Sequence, residues 1–257
     1  MNSNANISPS VRDDKCRPKA DNKQNVETLI LPDNGEKGIR LNCRRANCKD
    51  TWNAFLVSEA DYAGLFEIPK IQPTRYIPNR LIPFSKAISG KDHDQWVHFF
   101  QDDYLFERVW RNPKHYLAIL KRFNGIILPD FSIYRDMPLA LQIWNIYRSR
   151  ALGSWLQANG VKVIVNVRYG DYRTYGICCD GISQNSTIAV GTHGILKNKE
   201  DRNFFIEGMD SVVKTIEPSA IVVYGSAPEK IFGKYLSSGI GIIQFDSEFA
   251  KMHKVAK

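Results

Sequence analysis

The sequence predicts an α/β protein with a parallel β/α repeat, barrel-like (TIM-type or an incomplete barrel), the alternative being an open doubly wound sheet. Three observations lead there. Short apolar runs (VHFFQDD, GIILPDFS, VIVNVRYGD, TIAVGTHG, AIVVYGS, GIIQFDS) recur through the second half of the chain, each ending in polar residues or glycine. Helical stretches separate them, as parallel strands require, because a parallel pair is joined by a crossover. The run VKVIVNV is mostly β-branched rather than strictly alternating, the pattern of a strand covered on both faces. Polar residues at nearly every strand end favour a barrel, which draws ligand groups from many strands, over an open sheet, which concentrates them at one switch point.

Taken in order, residues 1–35 are rich in Asn, Ser, Asp and Lys and read as a flexible N-terminal tail. Residues 36–257 read as a single α/β domain whose first part, 36–90, is an irregular elaboration. Pro69, Pro73, Pro78 and Pro83 stand too close together for long helices. Within that part LIPFSKAI, at 81–88, is the better strand candidate, and Trp52, Phe55, Leu56, Leu65 and Phe66 are the expected anchors to a core.

The regular pattern begins near Trp96. A strand over 97–100 runs through Asp102 and Asp103 into a helix, after which Asn112 and Pro113 serve as cap and first-turn residue of the next. Gly125 opens the strand GIILP. Asp136 and Pro138 mark the start of a long helix, with Asp136 as its expected cap and Gly160 as its stop. The apolar residues of that helix, among them Leu141, Trp144, Tyr147 and Trp155, cover more than one stripe, which predicts burial on two sides or an oligomer contact. A further helix starts at Asn198, with Phe205, Met209, Val212 and Ile216 at helical spacing and Glu200 and Asp201 at its positive end. Pro218 closes it, AIVVYGS forms a strand, Pro228 opens another helix and GIGIIQF completes the series. Six strands are readable, seven or eight if the N-terminal part contributes.

At 257 residues with 43% hydrophobic content the chain can bury a substantial core. No apolar run approaches the ~20 residues that span a bilayer, and the first residues lack the apolar core of a signal peptide. No membrane association and a cytoplasmic setting are therefore expected. Five cysteines, an odd number, argue for reduced thiols rather than a disulfide framework. Cys43 and Cys48 could supply two zinc ligands, but a structural site usually needs four and no second pair lies nearby. Cys178 and Cys179 have no basic neighbour in sequence and are expected to be buried rather than catalytic. The net charge of +8 points to anionic partners, either nucleic acid or a phosphorylated small molecule. That charge is dispersed in small groups such as Lys121 with Arg122 and Arg148 with Arg150, so a solvated basic surface is the competing reading.

Several strand-end residues form a candidate site. Asp102, Asp130, Asp171 and His193 are the catalytic candidates, because carboxylates with a histidine can divide acid and base roles. Asp102, Asp130 and Asp171 are also the candidate ligands for a divalent metal such as Mg²⁺ or Mn²⁺. Arg168 could clamp a phosphate or carboxylate, and Gly225 with Ser226, between a strand and a helix, could offer backbone N–H groups to an anion. These residues describe a metal-dependent hydrolase or phosphodiesterase acting on a nucleotide or nucleic acid. The alternative is a non-catalytic nucleic-acid-binding or replication accessory protein, although no helix-turn-helix or zinc-finger spacing is evident.

The runs HFFQDDYLFERVWRNPKHYL, GIILPDFSIYRDMPLALQIWNIYRSRALGSWLQANG, VNVRYGD, STIAVGTHG, NKEDRNFF and IVVYGSAPEKIFGKY resemble the domain of unknown function 4417 family of bacteria and their phages, over about residues 80 to 250. The resemblance implies no established activity. Some members bear a replication-protein label, which would place this chain near phage or plasmid DNA. None of His93, His98, His115, His193 or His253 forms the His-apolar-His pair that rolling-circle initiators of the common type need.

Overall fold

The computed structural model describes residues 50–255, so the expected tail at 1–35 and the Cys43–Cys48 pair lie outside the described residues. A small antiparallel hairpin, β1 (Tyr62–Ala63) and β2 (Ile68–Pro69), precedes a seven-stranded sheet. Its strands are β3 (Leu81–Pro83), β4 (Trp96–His98), β5 (Gly125–Ile127), β6 (Val163–Asn166), β7 (Thr187–Gly191), β8 (Ala220–Tyr224) and β9 (Gly241–Phe245), all parallel and hydrogen-bonded in sequence order. An order that never reverses has no switch point, and its repeated crossovers curl the sheet into a half-barrel flanked by helices. The open doubly wound alternative is thereby set aside. The N-terminal part contributes one strand to the sheet, from LIPFSKAI as expected.

The connecting helices are α1 (Phe84–Ala87), α2 (Asp103–Arg111), α3 (Pro113–Leu120), α4 (Leu139–Ala158), α5 (Lys199–Ile216) and α6 (Glu229–Ser237). Side chains alternate across the sheet with period two. One set, including Val97, Phe99, Ile126, Leu128, Val165, Ile188 and Val223, packs with the helices in the larger core. The other set, Leu81, Trp96, Ile127, Ile164, Ala189, Val222 and Tyr224, forms a second cluster on the opposite face. Gly125 pairs with Trp96 across β4 and β5, and a Cβ there would lie 2.5 Å from the Trp96 ring. Gly125→Ala is therefore expected to destabilise the protein by ~1–3 kcal/mol through overpacking, measurable by urea unfolding. An unchanged midpoint would show that the Trp96 ring yields freely.

Caps and stops follow local chemistry. The Asn112 side chain accepts from the His115 N–H, and that of Asn198 from the Glu200 N–H. Gly160, at φ 81°, turns the chain out of α4. Asp136, the expected cap of α4, is not one: the helix starts at Leu139 behind Pro138, with no side-chain cap, and Asp136 is exposed. Beyond β9 lies a helix not anticipated from sequence, α7 (Glu248–Val255). Glu248 ion-pairs with Lys86 of α1 and its N–H donates to the Tyr224 hydroxyl at 3.1 Å, so α7 links the last strands to the first.

Three other expectations change. Trp52, Leu65 and Phe66 are exposed; Leu56, and Phe55 partly buried against the core, anchor the N-terminal elaboration as expected, and Val57, Ile68 and Ile71 join them. The broad apolar surface of α4 divides into a buried side and a partly exposed one, with Leu141 and Trp144 left outward. Arg148 and Arg150 are not surface charges. Arg148 pairs with Glu107 at 2.8 Å over the Phe131 ring, while Arg150 is 2% exposed and donates to the carbonyls of Cys178 (2.8 Å) and Asn166 (3.3 Å). Burial drops the Arg150 guanidinium to a pKa of about 10. Cys178 and Cys179 are buried as expected, and burial pushes the Cys178 thiol up, yet a basic side chain does adjoin them through the fold. No helix among the described residues is long and apolar enough to cross a membrane.

Candidate functional site

Two cavities, of about 330 Å³ and 530 Å³, open beyond the C-terminal ends of the strands. They share six lining residues, Asp130, Tyr134, Arg168, Gly191, His193 and Ile195, and so form one two-lobed cleft with those residues at its waist. This is the end of a β/α repeat where the loops from many strands converge. Each lobe lies in the size range of small-molecule sites.

Asp130 follows β5 by three residues and is largely buried. Its Oδ2 accepts from Arg168 at 2.7 Å, and its Oδ1 accepts from the Asn166 amide, also at 2.7 Å. Burial raises its pKa even though Arg168 and Asn166 both favour the charged form. Asn166 is the last residue of β6 and Arg168 lies two further on, so the pleat brings both side chains to the face that meets Asp130. Arg168 keeps 27% of its side chain exposed and donates to Asp130 through one terminal nitrogen, leaving the rest of its fork toward the cleft. His193 stands two residues after β7, is exposed, lines both lobes and contacts the Phe249 ring of α7 at 5.9 Å between centroids.

The smaller lobe adds Arg135, Tyr169, Phe204 and Phe205. Arg135 pairs with Asp201 at 2.8 Å and lies 4.4 Å over the Phe204 ring, and the Tyr169 hydroxyl donates to the Phe205 carbonyl at 2.6 Å. The larger lobe adds Asp102, Asp103, Phe100, Tyr104 and Tyr224. Asp103, in the first turn of α2, accepts from the Ser132 N–H (3.0 Å) and hydroxyl (2.8 Å). Asp102 occupies the N-cap position but its side chain makes no capping hydrogen bond, and it is exposed. The acids of the smaller lobe are paired, Asp130 with Arg168 and Asp201 with Arg135, whereas Asp102 and Asp103 give the larger lobe an acidic wall.

Of the sequence candidates, the fold brings Asp102, Asp130, Arg168 and His193 to this cleft. Asp171 does not line it: Arg173 holds its carboxylate at 2.9 Å, and although burial acts to raise its pKa, those hydrogen bonds leave it below the usual range. Gly225 and Ser226 do not line it either. Gly225 has φ 116° and donates its N–H to the Phe245 carbonyl, and the Ser226 carbonyl accepts from the Thr192 hydroxyl at 2.8 Å. Asp102, Asp130 and Asp171 are thus not assembled as a metal-ligand set, and no group of three His, Cys, Asp or Glu side chains among the described residues is placed to hold a metal ion. Sequence reading missed Tyr134, Arg135, Phe204 and Asn166. The signal for Tyr134 and Arg135 was present, since both follow the GIILPDFS strand exit.

The net charge bears on what can enter. Residues 1–49 hold 10 Lys and Arg against 6 Asp and Glu, so half of the +8 comes from that segment. A family model described as a domain of unknown function, DUF4417, matches residues 60–246, a span that includes every cleft residue named above. The chain is 35% identical over 170 residues to the Gene 1 protein of Mycobacterium phage D29, covering 63% of this chain and 62% of that protein. It is 34% identical over 180 residues to the Gene 1 protein of Mycobacterium phage L5, covering 68% and 77%. The aligned part thus spans about three fifths of the D29 relative. No solved structure matches. With that match over most of its length, the chain belongs to the domain of unknown function 4417 family, and it is similar to Gene 1 proteins encoded by two mycobacteriophages.

Proposed function

We propose that the strand-end cleft is an active site for a small phosphate-bearing substrate, with Arg168 on the phosphate and His193 as general acid and base. The observation that carries this reading is the waist of the cleft, where Arg168, held by Asp130 through one terminal nitrogen, stands beside His193, whose side chain makes no hydrogen bond among the described residues. Asp130 and Asn166 hold Arg168 in place, so the cation is oriented before substrate arrives. In phosphoester hydrolysis the water oxygen would bond to phosphorus as the bond from phosphorus to the leaving oxygen breaks. His193 would take the water proton and return it to the departing alcohol.

The acidic wall formed by Asp102 and Asp103 supports a small ligand over a long polyanion tracking through the cleft.

The test is turnover of p-nitrophenyl phosphate and bis-p-nitrophenyl phosphate with Mg²⁺ or Mn²⁺ present. His193→Ala is expected to lower kcat ~100-fold or more, and Arg168→Met to raise KM ~10-fold or more, with both variants folded. Turnover that survives both substitutions would place the chemistry elsewhere.

A further inference from the structure

The division of charge and aromatic surface between the two lobes says more about the substrate. Tyr134 is 55% exposed and lines both lobes, although an aromatic ring of that size gains most by burial. Its hydroxyl is nonetheless tied down. Ser132 Oγ lies 2.8 Å from Asp103 Oδ1 and 3.2 Å from the Tyr134 hydroxyl oxygen. A serine hydroxyl has one proton, so Ser132 donates to the carboxylate and accepts from Tyr134. Asp103, Ser132 and Tyr134 thus form a chain that holds an uncovered ring at the waist. Tyr104, 75% exposed, is a second uncovered ring on the larger lobe.

The larger lobe also carries Asp102 and Asp103, which repel anions but accept hydrogen bonds from hydroxyl and amino groups. The anion-binding groups, Arg168 and His193, stand at the waist beside it. A ligand matched to this arrangement has one anionic end, a neutral middle rich in hydroxyl donors, and a flat aromatic end.

Resting on the active-site reading above, we infer that the substrate is a nucleotide, with its phosphate at Arg168 and His193, its base stacked on Tyr134 in the larger lobe and its sugar hydroxyls or exocyclic amino group facing Asp102. Stacking is tolerant of base identity, because every base has a π face, so purine and pyrimidine nucleotides bind with similar affinity. Tyr134 and Tyr104 contribute to recognition of the nucleoside half alone.

The experiment is calorimetric titration of the full chain with adenosine 5′-monophosphate, uridine 5′-monophosphate, ribose 5-phosphate and adenosine, repeated on Tyr134→Ala, Asp102→Asn and Arg168→Met. Both nucleotides are expected to bind ~10-fold or more tightly than ribose 5-phosphate. Tyr134→Ala is expected to remove that advantage while leaving ribose 5-phosphate within twofold, Asp102→Asn to weaken nucleotide and adenosine alike, and Arg168→Met to weaken both phosphorylated ligands. Ribose 5-phosphate binding as tightly as the nucleotides would overturn the nucleoside assignment and leave the phosphate site standing. Adenosine binding as tightly as its monophosphate would overturn the phosphate site and leave the aromatic lobe standing. Binding of none of the four would overturn both.

Discussion

Lowering the pH from 6.5 towards 4 is expected to cost the fold ~1.4 kcal/mol per pH unit through one residue, His98. It sits in β4, is 0% exposed, and packs against the Tyr224 ring at 4.5 Å between centroids. Its Nδ1 accepts the Phe100 N–H at 3.2 Å, so the neutral ring carries its proton on Nε2, which has no partner among the described residues. Burial pushes its pKa down to about 3, with Glu248 raising it and Lys251 and Lys86 lowering it. The folded value lies below the ordinary 6.5 of the unfolded chain, so between those two values the unfolded state binds a proton that the native state refuses. Stability is therefore whole above pH 6.5 and falls as the pH drops towards 3.

His98→Asn keeps an acceptor for the Phe100 N–H and removes the titration. It should lose ~1–3 kcal/mol at pH 7 to the smaller side chain, and show a flatter acid limb than wild type in urea unfolding measured between pH 7 and 4. Parallel acid limbs for the two proteins would mean that His98 reaches solvent or a partner when charged.

The second large effect concerns the Asp130–Arg168 pair. Removing one member of a buried pair leaves the other charge uncompensated, at a cost of about 3–5 kcal/mol for full burial. Arg168 is 27% exposed and can turn partly to water, so Asp130→Ala is expected to cost ~2–3 kcal/mol, part of it from the Asn166 amide losing its acceptor. Asp130→Ala with Arg168→Met should then be more stable than Asp130→Ala alone, a coupling read from a double-mutant cycle by urea unfolding. Additive losses would show that the two side chains do not stabilise each other. The outcome also bears on function, since the proposed phosphate contact depends on Asp130 to present Arg168 rather than to touch substrate.

The legible parts of the fold were those carried by local chemistry. Asn112 and Asn198 as caps, Gly160 as a stop and the apolar face of α5 each act within a few residues of themselves. Asp136 failed as a cap because the chain turns again before Pro138, and nothing local distinguishes an acid in that turn from one at the helix start. α7 escaped notice because its exposed Phe249 and Met252 make no clear inward stripe, and its attachment runs through the distant Lys86 and Tyr224.

That parallel strands alternate with helices, and that polar residues collect at the strand exits, can be read from neighbouring residues alone, since periodicity, caps and breakers act locally. The sequence also marked Asp130, Arg168 and His193 as chemically unusual at such exits. It takes the folded sheet to show that the strands follow one another without reversal, and that Asp130 meets Arg168 and Asn166 while Asp171 is consumed by Arg173. The fold also shows that two arginines which read as surface charge are buried against Glu107 and backbone carbonyls. The physical reason is range: capping and helical periodicity act over about four residues, whereas an ion pair across the mouth of a barrel depends on strand order and register, set by the packing of the whole sheet.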